Sequence, residues 1–479
     1  MSSIVGNLFW KFSERMSSQA VSFVVSIVLA RILAPSDYGA IAMVMIFVAL
    51  ANVLVEGGFS SALIQKKDAD KLDFSSVFYF SVAFSVLLYL LLFFAAPFIS
   101  GFYGEGYEIL TPVLRVIGLQ IIVYGINSVQ QAYVSKMMMF KKFFWATFVG
   151  TIVSACVGIV MAYTGFGIWA LVGQQMASSV TNTIVLYLVT KKTPALMFSS
   201  QRLRGLLGYG SKILGASLLI SLYSNLMSLI IGKLYSAKDL AFFDRGRQFP
   251  NLIITNINSS VGAVLFPKMS QEQTDKERVK QTCRNSIRFC SFVMMPLMMG
   301  MAVCAEPFIR LLLTDKWIAC VPYLQLFCVI YMFYPVHTAN MQAIKAIGRS
   351  GTFLKLELIK KTLAIIGLLL VVRISVVAIA VNMAVLTTLF TFLNAYPNTK
   401  YLDYSFKEQM NDILPSIAMS VVMAASVYCI GLLQIPDILL LSVQILSGVC
   451  IYIALALLTK NNEILFICNL LKKRACHAK

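Results

Sequence analysis

Lys11, Glu14, Arg15 and Gln19 stand in the opening turns of an otherwise apolar stretch, FWKFSERMSSQAVSFVVSIVLARIL. In a helix that begins near Asn7, Lys11, Arg15 and Gln19 share one face, about 6, 12 and 18 Å along at ~1.5 Å rise per residue. A guanidinium fork and an ammonium on one stripe are groups that hold phosphate oxygens, and an amide beside them suits sugar hydroxyls. Such a face either snorkels to headgroups or lines a wet cavity. Further cations fall in or beside apolar segments: Arg115, Lys212, Arg245, Arg247, Lys355, Lys360 and Lys361, with Glu14, Glu56 and Glu357 as acidic counterparts. The surplus is positive, which favours an anionic cargo and disfavours an organic cation. Each of these residues also has the plainer reading of an interfacial charge. Trp10, Tyr38, Gln130, Gln131, Tyr223 and Asn225 add the aromatic and amide groups that a sugar would use.

These side chains must be positioned by helices in a membrane. Of the 479 residues 59% are hydrophobic and 13% charged, and mean hydropathy is +0.80, which excludes a water-soluble globule. Apolar stretches of about 20 residues recur throughout, the length of spanning helices and not of barrel strands. The expectation is an all-α polytopic membrane protein with about fourteen transmembrane helices. The first lacks the order of a cleavable signal peptide and is expected to stay in the mature protein. The net charge of +19 is placed by topology. Lysines and arginines concentrate in the connections after even-numbered spans and in the tail LLKKRACHAK, so the positive-inside bias puts both termini in the cytoplasm and nucleic acid is not an expected partner. Ten cysteines, none before Cys156, show no CxxC pair, and His337 and His477 are the two histidines, so neither a disulfide framework nor a metal site is expected. Cys283 and Cys476 fall on the expected cytoplasmic side, where thiol labelling could report it.

The chain repeats itself. ARILAPSDYG at 30–39 aligns with GKLYSAKDLA at 232–241, pairing Arg31 with Lys233 and Asp37 with Asp239. SSALIQK aligns with GAVLFPK, and AAPFIS with AEPFIR, which pairs Pro97 with Pro307. Six spans per copy is an even number, so the copies insert in the same orientation as a parallel repeat. The expected division is an N-terminal lobe over 1–200 (spans one to six), a C-terminal lobe over 201–400 (spans seven to twelve), and spans thirteen and fourteen with a basic tail over 401–479. Two bundles facing each other would place a cavity on their pseudo-symmetry axis, with spans one and seven beside it. Within LAPSDYG, Pro35 ends the first helix, Asp37 caps the second, and Gly39 relieves a tight approach. Glu14, Arg31, Asp37 and Glu56 are the candidate gating residues.

A membrane polymerase or ligase would need a substantial outward catalytic loop with acid and base residues, and the chain offers none. No GxxxxGK[ST] phosphate loop occurs, so no cofactor is expected and an ion gradient, Na⁺ or H⁺, is the expected energy source. Asn225, Glu357, Asn382 and Thr387 are the candidates for ion coupling. A multidrug exporter, the nearer alternative, would want acidic residues in its cavity.

LFWKFSERMSSQ, SIVLARILAPSDYGAIAMV, EGGFSSALIQKKD and FAAPFISGFY together resemble the amino-terminal half of Wzx-type polysaccharide flippases. These belong to the multidrug, oligosaccharidyl-lipid and polysaccharide exporter superfamily, and the likeness is to the colanic-acid and teichuronic-acid branch. The resemblance implies translocation of an undecaprenyl-diphosphate-linked oligosaccharide across a bacterial inner membrane, two six-helix lobes around a cationic cavity, and membrane lipids and the polysaccharide polymerase machinery as partners. Lys11, Glu14, Arg15, Gln19 and Asp37 stand at the branch's patterned polar positions.

Overall fold

The computed structural model describes residues 2–191, 194–461 and 463–465, and their regular structure is helical. The chain forms two compact units, Met1–Ala241 and Phe242–Lys479. The first contains α1 (Ser2–Ile32), α2 (Pro35–Glu56), α3 (Phe59–Gln65), α4 (Lys71–Tyr103), α5 (Leu110–Ile117), α6 (Leu119–Lys136), α7 (Phe140–Tyr163), α8 (Ile168–Thr190), α9 (Ser200–Leu234) and the start of α10 (Ala237–Gln271). The second continues α10 into α11 (Lys276–Val303), α12 (Ala305–Leu313), α13 (Val321–Met332), α14 (Tyr334–Ala346), α15 (Ser350–Val371), α16 (Val376–Leu402), α17 (Phe406–Gly431) and α18 (Asp437–Leu458). Among the described residues 12 helices are long and apolar enough to cross a membrane. Against the expected fourteen, the two not counted are α8 and α15, continuous helices of 23 and 22 residues. Lys355, Glu357, Lys360 and Lys361 make α15 polar, and a run of amides and hydroxyls does so in α8.

The two aligned stretches make the same local structure. Arg31 and Lys233 lie in the last turns of α1 and α9, and Asp37 and Asp239 in the first turns of α2 and α10. Asp37 accepts the Ala34 N–H at 3.3 Å, and the Ser236 hydroxyl accepts the Asp239 N–H at 3.1 Å, each satisfying a helix-entry donor. Pro35 is the first residue of α2, where its missing N–H costs nothing, and α1 has already stopped at Ile32.

In the first unit α9 is fastened near its two ends, by its first turns to α3 and α4 and at Gly232 to Met43 of α2. Ser75 and Ser76 at the start of α4 accept the backbone N–H groups of Ala195 (3.0 Å) and Ser199 (2.9 Å), which pins the connection leading into α9. Leu203 and Leu206 of its first turns are buried against Phe59, Leu63, Val77 and Val129. At Gly58, in the left-handed conformation (φ 72°), a Cβ would lie 2.3 Å from the Gly210 carbonyl oxygen. At the opposite end of α2 a Cβ on Gly39 would lie 1.7 Å from the carbonyl oxygen of Ala237. The tight approach expected at Gly39 is therefore a backbone-on-backbone contact, the kind that small residues permit between membrane helices. Asp73, fully buried, binds Lys66 Nζ at 2.6 Å and lies 3.7 Å from Arg202, joining the connection after α3, α4 and α9 through charge. Asp70 caps α4, and the Asp73 N–H it accepts at 2.9 Å holds its carboxyl below the usual carboxylate range.

In the second unit α17 and α18 pack on α11. Phe292, Met419, Met423, Val427 and Tyr452 form a shared core, and the Tyr452 hydroxyl donates to the Phe292 carbonyl at 2.8 Å. The Asp412 carboxylate of α17, 1% exposed, accepts from Arg284 Nε (2.7 Å) and the Tyr404 hydroxyl (2.9 Å) and pairs with Arg288 Nε at 3.0 Å. Leu90, Leu91 and Phe94 of α4, Leu219 and Ile220 of α9, Leu369 and Leu370 of α15 and Leu446 of α18 are exposed.

Candidate functional site

The first unit carries a polar zone inside apolar helices. On α1, Arg15 is exposed while Glu14 and Gln19 are half-buried. The side chain of Lys11 lies outside the described residues, as does that of Lys212 and the whole of Cys476 and His477. Near the start of this helix the Trp10 ring packs 5.4 Å from Phe144 of α7, and Lys141 Nζ lies 5.3 Å from its centroid. The aromatic and its cation thus brace the opening turns of α1 against α7.

A second polar element is a cavity of about 230 Å³ framed by α2, α6 and α8. Asn52 comes from α2, and Gln120, Tyr124, Asn127 and Gln131 come from one face of α6. Ser178, Ser179, Asn182 and Thr183 of α8 close it. Asn127 Nδ2 donates to Asn182 Oδ1 at 3.1 Å, and Tyr124 donates its hydroxyl to Glu56 at 3.3 Å. Asn52 Oδ1, Gln120 Nε2 and Asn127 Oδ1 are buried and have no hydrogen-bond partner in the protein. Gln131 was legible as a sugar-binding candidate; Asn52, Gln120, Asn127 and Asn182 were not. The spacing of Gln120, Asn127 and Gln131 by seven and four residues, a single helical face in an apolar span, was the available signal.

Most of the remaining expected site residues have a partner within their own unit. Arg115 of α5 stacks its guanidinium 4.3 Å from the Phe93 ring, and its Nε donates to the Phe93 carbonyl at 3.4 Å. Arg245 is buried, donates to Gln248 Oε1 at 2.6 Å and lies 5.2 Å from the Trp317 ring. Arg247 pairs with Asp244 at 2.9 Å, Lys360 pairs with Glu357 on the same helix, and Lys355 is exposed. Of the ion-coupling candidates, Asn225 donates to the Ser221 carbonyl at 2.8 Å, Asn382 lies against Gly367, and the Thr387 carbonyl accepts from Thr391. Glu56, read as a gating residue, is tied to the cavity through Tyr124. Cys283 is fully buried, so labelling there would report burial and not sidedness.

His337 and Asn394 meet at 2.6 Å in the second unit, beside a chain in which Asn398 donates to Asn340 (2.6 Å) and Asn340 to Gln409 (3.0 Å). This seam joins α14, α16 and α17 by amide hydrogen bonds, with Asn394 Oδ1 and Asn398 Oδ1 buried and without a partner in the protein.

Residues 28–322 match the family model described as polysaccharide biosynthesis protein. Over 314 residues, 66% of this chain and 63% of the relative, the sequence is 25% identical to the succinoglycan biosynthesis transport protein ExoT of Rhizobium meliloti (strain 1021). It is 24% identical over 63% of the chain to the teichuronic acid biosynthesis protein TuaB of Bacillus subtilis (strain 168), of which 62% is covered. It is 22% identical over 71% of the chain to the lipopolysaccharide biosynthesis protein WzxC of Escherichia coli (strain K12), of which 69% is covered. The matches thus span a little under two thirds of the first two relatives. Among solved structures, the lipid II flippase MurJ in an inward closed conformation superposes with a TM-score of 0.75 at 15% identity, covering 95% of this chain and 100% of that one. An inward-facing multidrug resistance MATE family transporter of the MOP superfamily superposes at 0.61 and 14% identity, covering 82% and 99%. With its polar zone set among apolar helices on this shared fold, the chain belongs to the polysaccharide biosynthesis protein family of multi-pass membrane proteins.

Proposed function

We propose that this protein moves an undecaprenyl-diphosphate-linked oligosaccharide from the cytoplasmic to the outer leaflet of a bacterial inner membrane by alternating access. The observation that carries the reading is the polar face of α1, with exposed Arg15 one turn from Gln19, in the same unit as an amide-lined cavity that has no carboxylate in its wall. Guanidinium donors suit the diphosphate, and amides suit the glycan. The family match and the naming of one relative as a transport protein support the same reading. In this scheme Lys11 and Arg15 receive the diphosphate near the cytoplasmic mouth, and Glu14 tempers their hold.

The test is flipping of a defined undecaprenyl-diphosphate glycan in proteoliposomes, with Na⁺ and H⁺ gradients imposed separately. Loss of one charge-assisted contact, about 1.5–3 kcal/mol, predicts that Arg15→Gln slows flipping by about tenfold or more at normal expression. Arg15→Lys recovers part of the rate, because the charge returns without the bidentate fork. Equal rates for correctly inserted Arg15→Gln and wild type would remove Arg15 from the substrate path. Glu357→Gln and Asn382→Ala are the variants in which a changed dependence on Na⁺ or H⁺ is sought, since an ion-coupling residue must act on the gradient response.

Sidedness has its own expected result. Thr274 precedes α11 and Glu105 follows α4, and both are exposed. With the termini cytoplasmic, an impermeant maleimide added to intact cells labels Glu105→Cys and leaves Thr274→Cys unmodified. The reverse pattern would invert the direction of transport.

A further inference from the structure

We infer that the cavity framed by α2, α6 and α8 is a subsite for one neutral sugar residue of the transported glycan, a reading that rests on the transport function proposed above. Its walls lie in the later halves of their helices: Asn52, Asn127 and Asn182 are roughly 6, 14 and 12 Å from the helix ends at Glu56, Lys136 and Thr190. A polar group buried there without a partner is costly. Yet Asn52 Oδ1, Gln120 Nε2 and Asn127 Oδ1 have no protein partner, and Gln120 and Asn127 are 6% and 7% exposed. Groups left open in this way call for a ligand or ordered water to complete them.

The chemistry of the lining narrows the ligand class. An amide offers one donor end and one acceptor end whichever way it is turned, and the five amides and four hydroxyls of the wall therefore present both kinds of group. A sugar hydroxyl both donates and accepts and can answer either. A diphosphate would find no lysine or arginine in the wall, and an organic cation no carboxylate. A bare metal cation would use the oxygens only and leave the amide N–H₂ groups of the wall unanswered. An apolar molecule would meet one apolar residue, Val123. Size agrees: at about 30 Å³ per water, 230 Å³ is the room of roughly seven waters, far above a bare cation and sufficient for a pyranose ring. Glu56 fixes Tyr124 by its hydroxyl and so sets the position of the one aromatic ring in the wall.

The experiment uses full-length protein in nanodiscs carrying Ser179→Cys, with N-ethylmaleimide modification at that position quantified by peptide mass spectrometry. The probes are undecaprenyl diphosphate bearing one N-acetylglucosamine, the same lipid without sugar, Na⁺ alone, and the methyl glycosides of glucose, galactose and N-acetylglucosamine. A ligand several times above its dissociation constant is expected to slow modification about fivefold or more. The saccharide probes should do so, the bare lipid and Na⁺ should not, and Gln120→Leu should abolish the protection. Gln120 is chosen because its Nε2 donates to no other part of the protein. Protection by Na⁺ without sugar would make this a cation site, and equal protection by the bare lipid would make it a lipid site; either overturns the proposal. No protection by any saccharide, in protein that flips the glycolipid, would refute the subsite and leave transport standing. Protection by methyl glycosides in protein that flips nothing would uphold the subsite and refute transport.

Discussion

Gly39→Val is expected to abolish the packing of α2 against the start of α10, with a loss of about 3 kcal/mol or more, at or beyond the upper end of what overpacking costs. The reason is geometric. A Cβ at position 39 would lie 1.7 Å from the Ala237 carbonyl oxygen, 2.3 Å from its carbon and 2.8 Å from its Cα. Those atoms are backbone at the first turn of a helix, so no rotamer change relieves the overlap and an entire helix end must move. In fluorescence-detected size exclusion after heating, Gly39→Val should lose its monodisperse peak well below wild type. Gly101→Ala is the matched control, because a Cβ there meets nothing within 4 Å. Comparable melting of Gly39→Val and wild type would show that α2 and α10 do not make this contact in the folded protein.

The second large effect is expected at Asp412. Its carboxylate is nearly inaccessible and answers Arg284, Arg288 and the fully buried Tyr404 hydroxyl together. Asp412→Ala leaves two guanidinium groups beside each other and a buried hydroxyl without its acceptor. Removing one partner of a buried ion pair costs about 3–5 kcal/mol. Because Arg284 and Arg288 are 29% and 33% exposed, water recovers part of that cost, which places the loss near about 3 kcal/mol. The check is a melting curve in nanodiscs for Asp412→Ala, and for the same change combined with Arg284→Met and Arg288→Met. If charge left uncompensated is the cause, the triple variant melts above the single one. Unchanged melting of Asp412→Ala would remove this cluster from the forces holding α17 to α11.

The spans of this protein were legible because lipid demands long apolar runs, and the helix entries because Pro35, Asp37 and Asp239 are start signals that act locally. Two helices escaped the apolar measure for the same physical reason: α8 and α15 carry polar groups where a lipid-facing helix would carry leucines. The α1 face was readable from its four-residue spacing. The cavity was legible only at Gln131, since its walls come from three separate spans and Asn127 meets Asn182 from 55 positions away. Likewise Asp412 and Arg284, 128 positions apart, carry no sign in either local sequence that α17 is bonded to α11. Long-range pairing of single polar residues leaves no periodicity to read.

The fastening of α9 bears on how the molecule could be taken apart and rejoined. The expected lobe boundary falls at 200, but a backbone opened there would cut α9 away from the buried leucine and glycine contacts that attach it to the first unit. Those attachments would then have to form between two separately inserted polypeptides. Opened instead at the Tyr235–Ser236 turn, the chain would keep them within one fragment, and Gly39 facing Ala237 would become the docking point at which the second fragment reassembles. That turn is the natural seam for split expression, and for inserting a reporter, in this protein.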